Sequence, residues 1–213
     1  MSVAPRSSLA AVVLAAGASR RMGAPKAALQ LGDTTLLARV LDALEVASCA
    51  PIVVVAGAHE AAVRAAMPAH TAARIVVNDT PERGQLSSLQ VGLRHLLATA
   101  PAVTGAVVAL VDHPMVARET VALLIDAAGE GRHSIVVPTY RERRGHPIVL
   151  MRAVWDEILA TPDDASTRVV VRADPGRVRE VAVADPGILI DIDTPEDMAR
   201  LIGGASGAGA QRR

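Results

Sequence analysis

Continuous apolar runs punctuate the first two thirds of the chain: Leu9–Ala15, Ile52–Ala56, Ile75–Val77, Ala106–Val111 and Ser134–Val137, with Val178–Ala184 following later. Most do not alternate with polar residues, which predicts strands covered on both faces. Between them the spacing changes to that of helices. Thr35–Ala47 repeats apolar residues at Leu36, Leu37, Val40, Leu41 and Leu44, and Ser87–Ala98 does so at Leu89, Val91, Leu93, Leu96 and Leu97. Ala117–Ala128, Arg152–Ala160 and Pro195–Leu201 predict three more helices. Strand–helix alternation at these lengths implies crossover connections, so the expected fold class is α/β with a mostly parallel central sheet between two helical layers. Val178–Ala184 follows an Arg/Asp/Pro-rich stretch and is expected as an antiparallel insertion. No internal repeat is visible. One domain over residues 1–202 is expected, followed by a Gly/Ala-rich tail at 203–213 with no apolar anchor, expected to be disordered.

Composition narrows the function. The 213 residues are 51% hydrophobic, with 22 Lys plus Arg against 22 Asp plus Glu. A neutral chain lacks the broad positive field of a non-specific nucleic-acid binder. Trp155 and Tyr140 stand alone as aromatics with no Phe, which excludes a base-stacking platform. Cys49 is the only cysteine, so an intrachain disulfide and a thiolate metal cluster are both impossible. This fits a reducing compartment, the N-terminus carries no membrane-length apolar segment, and the expectation is a cytoplasmic protein with no membrane partner.

The chemistry concentrates where strands end. After the first strand come Ala15-Ala16-Gly17-Ala18-Ser19-Arg20-Arg21-Met22-Gly23-Ala24-Pro25-Lys26. Small residues there let backbone N–H groups approach an anion, and Arg21 and Lys26 add charge suited to a polyphosphate. The glycine spacing matches neither a P-loop nor the dinucleotide fingerprint, which weighs against a nicotinamide-binding enzyme. Asp112-His113-Pro114 follows the strand at Ala106–Val111, where open α/β sheets place their ligands, and an ionised group there needs a cation partner. Asp191 and Asp193 alternate in an extended segment and are expected on one side, where like charges also require a cation. Thr194-Pro195-Glu196-Asp197 reads as a helix start, with Thr194 as cap. Ser87 and Ser88 stand where a helix should begin, as caps or as ligand contacts.

Leu14-Ala15-Ala16-Gly17-x-Ser19-x-Arg21-Met22-Gly23-x-Pro25-Lys26 resembles the signature loop of the MobA-like nucleotidyltransferases, nearest to the molybdenum cofactor cytidylyltransferase branch. The resemblance continues through Asn78-x5-Gly84-x2-Ser87-Ser88-Leu89, Asp112-His113-Pro114, Arg144-Gly145-His146-Pro147 and Asp191-Ile192-Asp193-Thr194-Pro195-Glu196-Asp197. A less fixed family segment falls at Asp164-Ala165-Ser166-Thr167-Arg168. The resemblance implies a single-domain, three-layer, Rossmann-like nucleotidyltransferase fold. It implies nucleotide contacts from Leu14, Ala15, Ala16, Gly17, Arg21, Lys26, Asn78, Gly84, Ser87 and Ser88, with Arg21, Lys26 and Asp112 carrying catalysis. It implies Mg²⁺ on Asp112 and on Asp193 or Asp191, Asp193 being favoured. His113, Arg144, Gly145 and His146 are implied near the acceptor. The expected reaction moves CMP from CTP onto molybdopterin, for delivery to a molybdoenzyme or its chaperone. Alternatives are a transferase acting on a sugar phosphate or another phosphorylated metabolite, and a non-catalytic nucleotide-binding cofactor chaperone.

Overall fold

Leu9–Leu14 forms strand β1 with all six residues buried, as a run apolar on both faces requires. In the computed structural model, which describes residues 9–19, 21–162 and 165–208, nine further strands follow. They are β2 (Gln30–Leu31), β3 (Thr34–Thr35), β4 (Ile52–Ala56), β5 (Arg74–Val77), β6 (Gly105–Leu110), β7 (Ile135–Tyr140), β8 (Arg143–Arg144), β9 (Ile148–Met151) and β10 (Val178–Ala182). The α-helices are α1 (Leu36–Val46), α2 (Glu60–Ala65), α3 (Gln85–Thr99), α4 (Arg118–Gly129), α5 (Trp155–Ala160), α6 (Arg168–Ala173) and α7 (Pro195–Ala208).

The main sheet runs β10-β7-β9-β6-β1-β4-β5, with β8 pairing β7. β1 lies parallel to β4 and β6, and β4 parallel to β5. The antiparallel strand inside this order is β9, between β6 and β7. β10 pairs parallel with β7, which corrects the antiparallel insertion expected at Val178–Ala184. The reason is direction. β9 runs back antiparallel to β7, so the α5–α6 segment starts at the end of the sheet where β7 began, and β10 sets out from there in the direction of β7.

β1 also sorts the core into two layers. Leu9, Ala11 and Val13 pack with Leu37, Leu41 and Leu44 of α1 and Leu124 of α4. Ala10, Val12 and Leu14 pack with Leu86, Leu89, Leu93 and Leu96 of α3 and with Trp155 of α5. The chain is thus a single-domain α/β protein of three layers. α3 comes so close to β1 that a Cβ on Gly92 would meet Val12 Cγ1 at 2.6 Å. α1 starts where expected, Thr35 accepting from the Ala38 N–H at 3.1 Å as its cap. Two short helices, α2 and α6, bury one residue each, Val63 and Val170, and so carry no apolar stripe. α7 continues to Ala208, six positions into the segment expected as a tail; residues 209–213, like Arg20 and Asp164, lie outside the described residues. No helix among the described residues is long and apolar enough to cross a membrane.

Candidate active site

The parallel strands β1, β4 and β6 point their carboxyl ends at one cleft of about 420 Å³. One wall is the loop after β1. Ser19, at φ 49°, folds this loop back: its carbonyl accepts from the Met22 N–H at 3.0 Å and its Oγ from the Lys26 N–H at 3.0 Å. Lys26 follows Pro25 at the start of a short 3-10 turn, Lys26–Ala28, which aims its side chain at the ends of the strands.

There Lys26 Nζ donates to Asp112 Oδ2 at 2.9 Å and also to Asp193 Oδ1. Arg21 Nη2 lies 3.3 Å from the other oxygen of Asp193. Asp112 stands two residues past β6, and its carbonyl accepts from the Ile192 N–H at 2.9 Å. That bond draws the 191–193 segment to the end of the sheet. Asp193 is further held by α7, whose first turn is a reciprocal cap: the Asp193 and Thr194 N–H groups donate to Asp197 Oδ2 at 3.0 and 2.8 Å, and the Asp197 N–H donates to Thr194 Oγ1 at 3.2 Å. These bonds hold the Asp197 carboxyl at about 2, the Thr194 hydroxyl being the main cause.

Burial would lower the pKa of the Lys26 ammonium, but its hydrogen bond to Asp193 and the charge of Asp112 outweigh it and hold it above its ordinary value. The hydrogen bond from Lys26 in turn holds the Asp193 carboxyl below the usual carboxylate range. Lys26 and Asp193 are therefore both charged at neutral pH. The Arg21 pair, with the guanidinium 72% exposed, contributes little to stability.

The opposite wall begins at Gly84, whose φ of 108° suits glycine and which precedes α3. The helix starts at Gln85, so Ser87 and Ser88 lie inside its first turn instead of capping it. Ser87 Oγ donates to the Gly84 carbonyl at 2.9 Å. The buried Asn78 amide donates to Ser87 Oγ at 2.9 Å and Ser88 Oγ at 3.0 Å, while its Oδ1 accepts from the Thr80 N–H at 3.0 Å. Asn78 and Ser87 thus stand behind the wall and brace it, and Ser88 faces the cleft with Gly84.

Of the residues expected at the nucleotide and metal, Leu14, Ala15, Ala16, Gly17, Arg21, Lys26, Gly84, Ser88, Asp112 and Asp193 line the cleft. Asp191 does not. It is exposed, on the solvent side of the buried Ile192, and lies outside the cleft that Asp193 lines. The four residues expected at the acceptor are also absent from the lining. Arg144 donates through Nε and Nη2 to Glu180 of β10 at 2.8 and 2.6 Å. Gly145 is pressed on Ile188, whose carbonyl oxygen would lie 2.3 Å from an added Cβ. His113 and His146 form a tilted ring pair with centroids 5.4 Å apart. Burial lowers the pKa of both, that of His146 to about 4 with a further push from His113, so both rings are neutral. Cys49 is buried and its thiol pushed up to about 12, as suits a packed small side chain and not a nucleophile. His59, Val63, Pro81 and Gln85 also line the cleft, beyond the residues that the sequence motifs indicate. His59 follows the carboxyl end of β4, and the rule that singled out Asp112 after β6 applies there too.

Among the described residues no group of three or more His, Cys, Asp or Glu side chains is set to hold a metal. A divalent cation here would have two protein carboxylates, Asp112 and Asp193. They converge on one cation already, the Lys26 ammonium, and an oxygen pair completed by phosphate and water is a donor set suited to Mg²⁺ or Mn²⁺. The donors fit.

Known proteins resemble this chain over most of its length. Residues 11–180 match the family described as MobA-like NTP transferase domain. Nicotine blue oxidoreductase of Paenarthrobacter nicotinovorans is 34% identical over 200 residues, covering 90% of this chain and 95% of that protein. Molybdenum cofactor guanylyltransferase of Sinorhizobium fredii is 31% identical over 202 residues, covering 88% of each. The crystal structure of Rv0371C from Mycobacterium tuberculosis in complex with manganese superposes with a TM-score of 0.76 at 33% identity, covering 92% of this chain and 98% of that one.

Proposed function

The chain belongs to the MobA-like NTP transferase family, and from that premise we propose that it transfers a nucleoside monophosphate, CMP from CTP, onto the phosphate of molybdopterin. The observation that carries this reading is the convergence of Lys26 on Asp112 and Asp193 at the mouth of a cleft walled by backbone and small residues.

The α-phosphate is shielded by negative oxygens, so an anionic attacker needs that charge offset. Ala15, Ala16 and Gly17 present backbone to the nucleotide, and Lys26 and Arg21 bind the β- and γ-phosphates and stabilise the charge that builds on pyrophosphate. Asp112 and Asp193 hold Mg²⁺. The cation, when bound, neutralises phosphate oxygens. An acceptor phosphate oxygen, already ionised, forms a bond to the α-phosphorus while the bond to the bridging α–β oxygen breaks and pyrophosphate leaves. No general base is required, which accords with two neutral histidines set off from the cleft. Positioning and electrostatics then supply the catalysis. A buried lone cysteine supports a cytoplasmic location, and a molybdoenzyme or its chaperone would receive the product.

Ala16 supports the pyrimidine donor. It sits in the cleft wall at a position where a smaller residue would leave more room for a base. The guanylyltransferase relative makes GTP the competing donor to test. The test is pyrophosphate release with each of the four triphosphates, with and without molybdopterin and Mg²⁺. Release with CTP and molybdopterin alone supports the proposal, release with GTP replaces the donor, and release with a sugar phosphate in place of molybdopterin replaces the acceptor. Asp112→Ala or Lys26→Ala should lower turnover by roughly 10²–10³ in folded protein, the loss typical of one preorganised charge-stabilising group.

A second reading rests on the relative named an oxidoreductase. The same cleft would then serve a redox reaction. The loop after β1 lacks the Gly-x-Gly-x-x-Gly spacing of dinucleotide sites. Oxidation of NADH or NADPH in the presence of an electron-accepting pigment, without pyrophosphate release, would favour this reading over the transferase.

A further inference from the structure

Lys26 is the most shielded charge in the cleft. Its side chain is 14% exposed, against 26% for Asp112 and 32% for Asp193. Its ammonium is bonded to both carboxylates, and Arg21 covers the remaining oxygen of Asp193. Two cations meet two anions and their formal charges cancel. A bare divalent cation arriving here has to displace an ammonium from both carboxylates. It then leaves two added positive charges beside a lysine and an arginine whose partners it has taken, an arrangement that repels. A nucleoside triphosphate reverses the balance. It brings several negative charges and many acceptor oxygens, to which Lys26 and Arg21 can turn, and both carboxylates are released for the cation.

Resting on the transferase reading above, we infer that Lys26 is a latch on the cation position: the cleft takes up a divalent cation together with a nucleoside triphosphate and holds the cation poorly alone. Cation and nucleotide are therefore coupled, and the coupling is reciprocal. The empty enzyme is kept from trapping free cations, and the ligand it selects is the cation–triphosphate complex.

The test is binding of Mn²⁺ alone, followed by the paramagnetic resonance signal of the free ion, to the wild-type chain, Lys26→Met and Lys26→Arg. Melting curves establish that each is folded. Lys26→Met should bind Mn²⁺ at least about tenfold more tightly than wild type, within the usual range of coupling between sites. Lys26→Arg keeps the charge and should stay with wild type. Adding Asp112→Asn to Lys26→Met should abolish the gain. Should the methionine variant not fold, Lys26→Gln takes its place, and wild type gives a second reading. Its affinity for CTP, or for GTP if only GTP binds, should be at least about tenfold higher with Mn²⁺ than with a chelator. Equal Mn²⁺ affinity of wild type and Lys26→Met, or nucleotide affinity indifferent to Mn²⁺, overturns the latch and leaves the transferase reading standing. Absence of Mn²⁺ binding in every form with every triphosphate overturns both.

Discussion

The N–H of Ile192 donates to the carbonyl of Asp112 at 2.9 Å, and this bond decides which carboxylates share the cleft. It ties the segment before α7 to the end of β6, so Asp193 faces Lys26 and Asp191 stays in solvent. Removing the Asp191 carboxylate should therefore leave turnover close to wild type, whereas Asp193→Asn should lower it by at least about tenfold through loss of a charged partner. Pyrophosphate release by the two variants checks this, and a larger loss in Asp191→Asn would reassign the second acid.

Gly145→Ala separates a structural role from an acceptor role. Its Cβ would meet the Ile188 carbonyl oxygen at 2.3 Å, so backbone must shift. The expected cost is about 1–3 kcal/mol, typical of overpacking. Urea unfolding should show the midpoint falling with an unchanged slope, and a wild-type midpoint with a raised KM for the acceptor would instead put Gly145 at the substrate.

Asp185 joins the loop after β10 to the start of α4. Its Oδ2 accepts from the Ala117 N–H and from Thr120 Oγ1, both at 2.8 Å, and its Oδ1 accepts from the Gly187 N–H at 2.8 Å. Asp185→Ala leaves three donors without a partner, and a loss of about 1–3 kcal/mol is expected from the missing cap and bonds. Thermal or urea unfolding reads it directly.

The paired histidines give stability an acid limb. The pKa of His146 falls from its ordinary 6.5 to about 4, so the unfolded chain binds the extra proton between those values. Stability is full above about pH 6.5 and is lost as pH falls through the window toward 4. His146 should account for a loss on the order of 2 kcal/mol between pH 7 and 4.5. Urea titrations at the two values check this, and His146→Gln should show a smaller difference than wild type.

Much of the frame was legible because its strands are buried on both faces. β1, β4 and β6 announce themselves as uninterrupted apolar runs, and the rule for ligands at strand ends then singles out Lys26 and Asp112. Their meeting was not legible. Lys26 lies 86 positions from Asp112 and 167 from Asp193, and only the sheet order brings them together. α6 contains Val169-Val170-Val171, three β-branched residues whose propensity favours a strand, so local patterning points away from the helix they form. β9 and the parallel pairing of β10 depend on which strand each one finds, which local patterning does not encode. The bond from Arg144 to Glu180 spans 36 positions and carries no local signal either.

The central claim is that the cleft binds a triphosphate and a cation through Lys26, Asp112 and Asp193. Melting temperature with ATP, GTP, CTP and UTP in turn, each with and without Mg²⁺, tests it most directly in wild type and Asp112→Ala. Ligand at about 100 times its dissociation constant adds roughly 2.7 kcal/mol, about 5–10 °C for a chain of this size. The account predicts a shift of that order with CTP and Mg²⁺ together, lost in Asp112→Ala. No shift with any nucleotide, or an undiminished shift in Asp112→Ala, would contradict it.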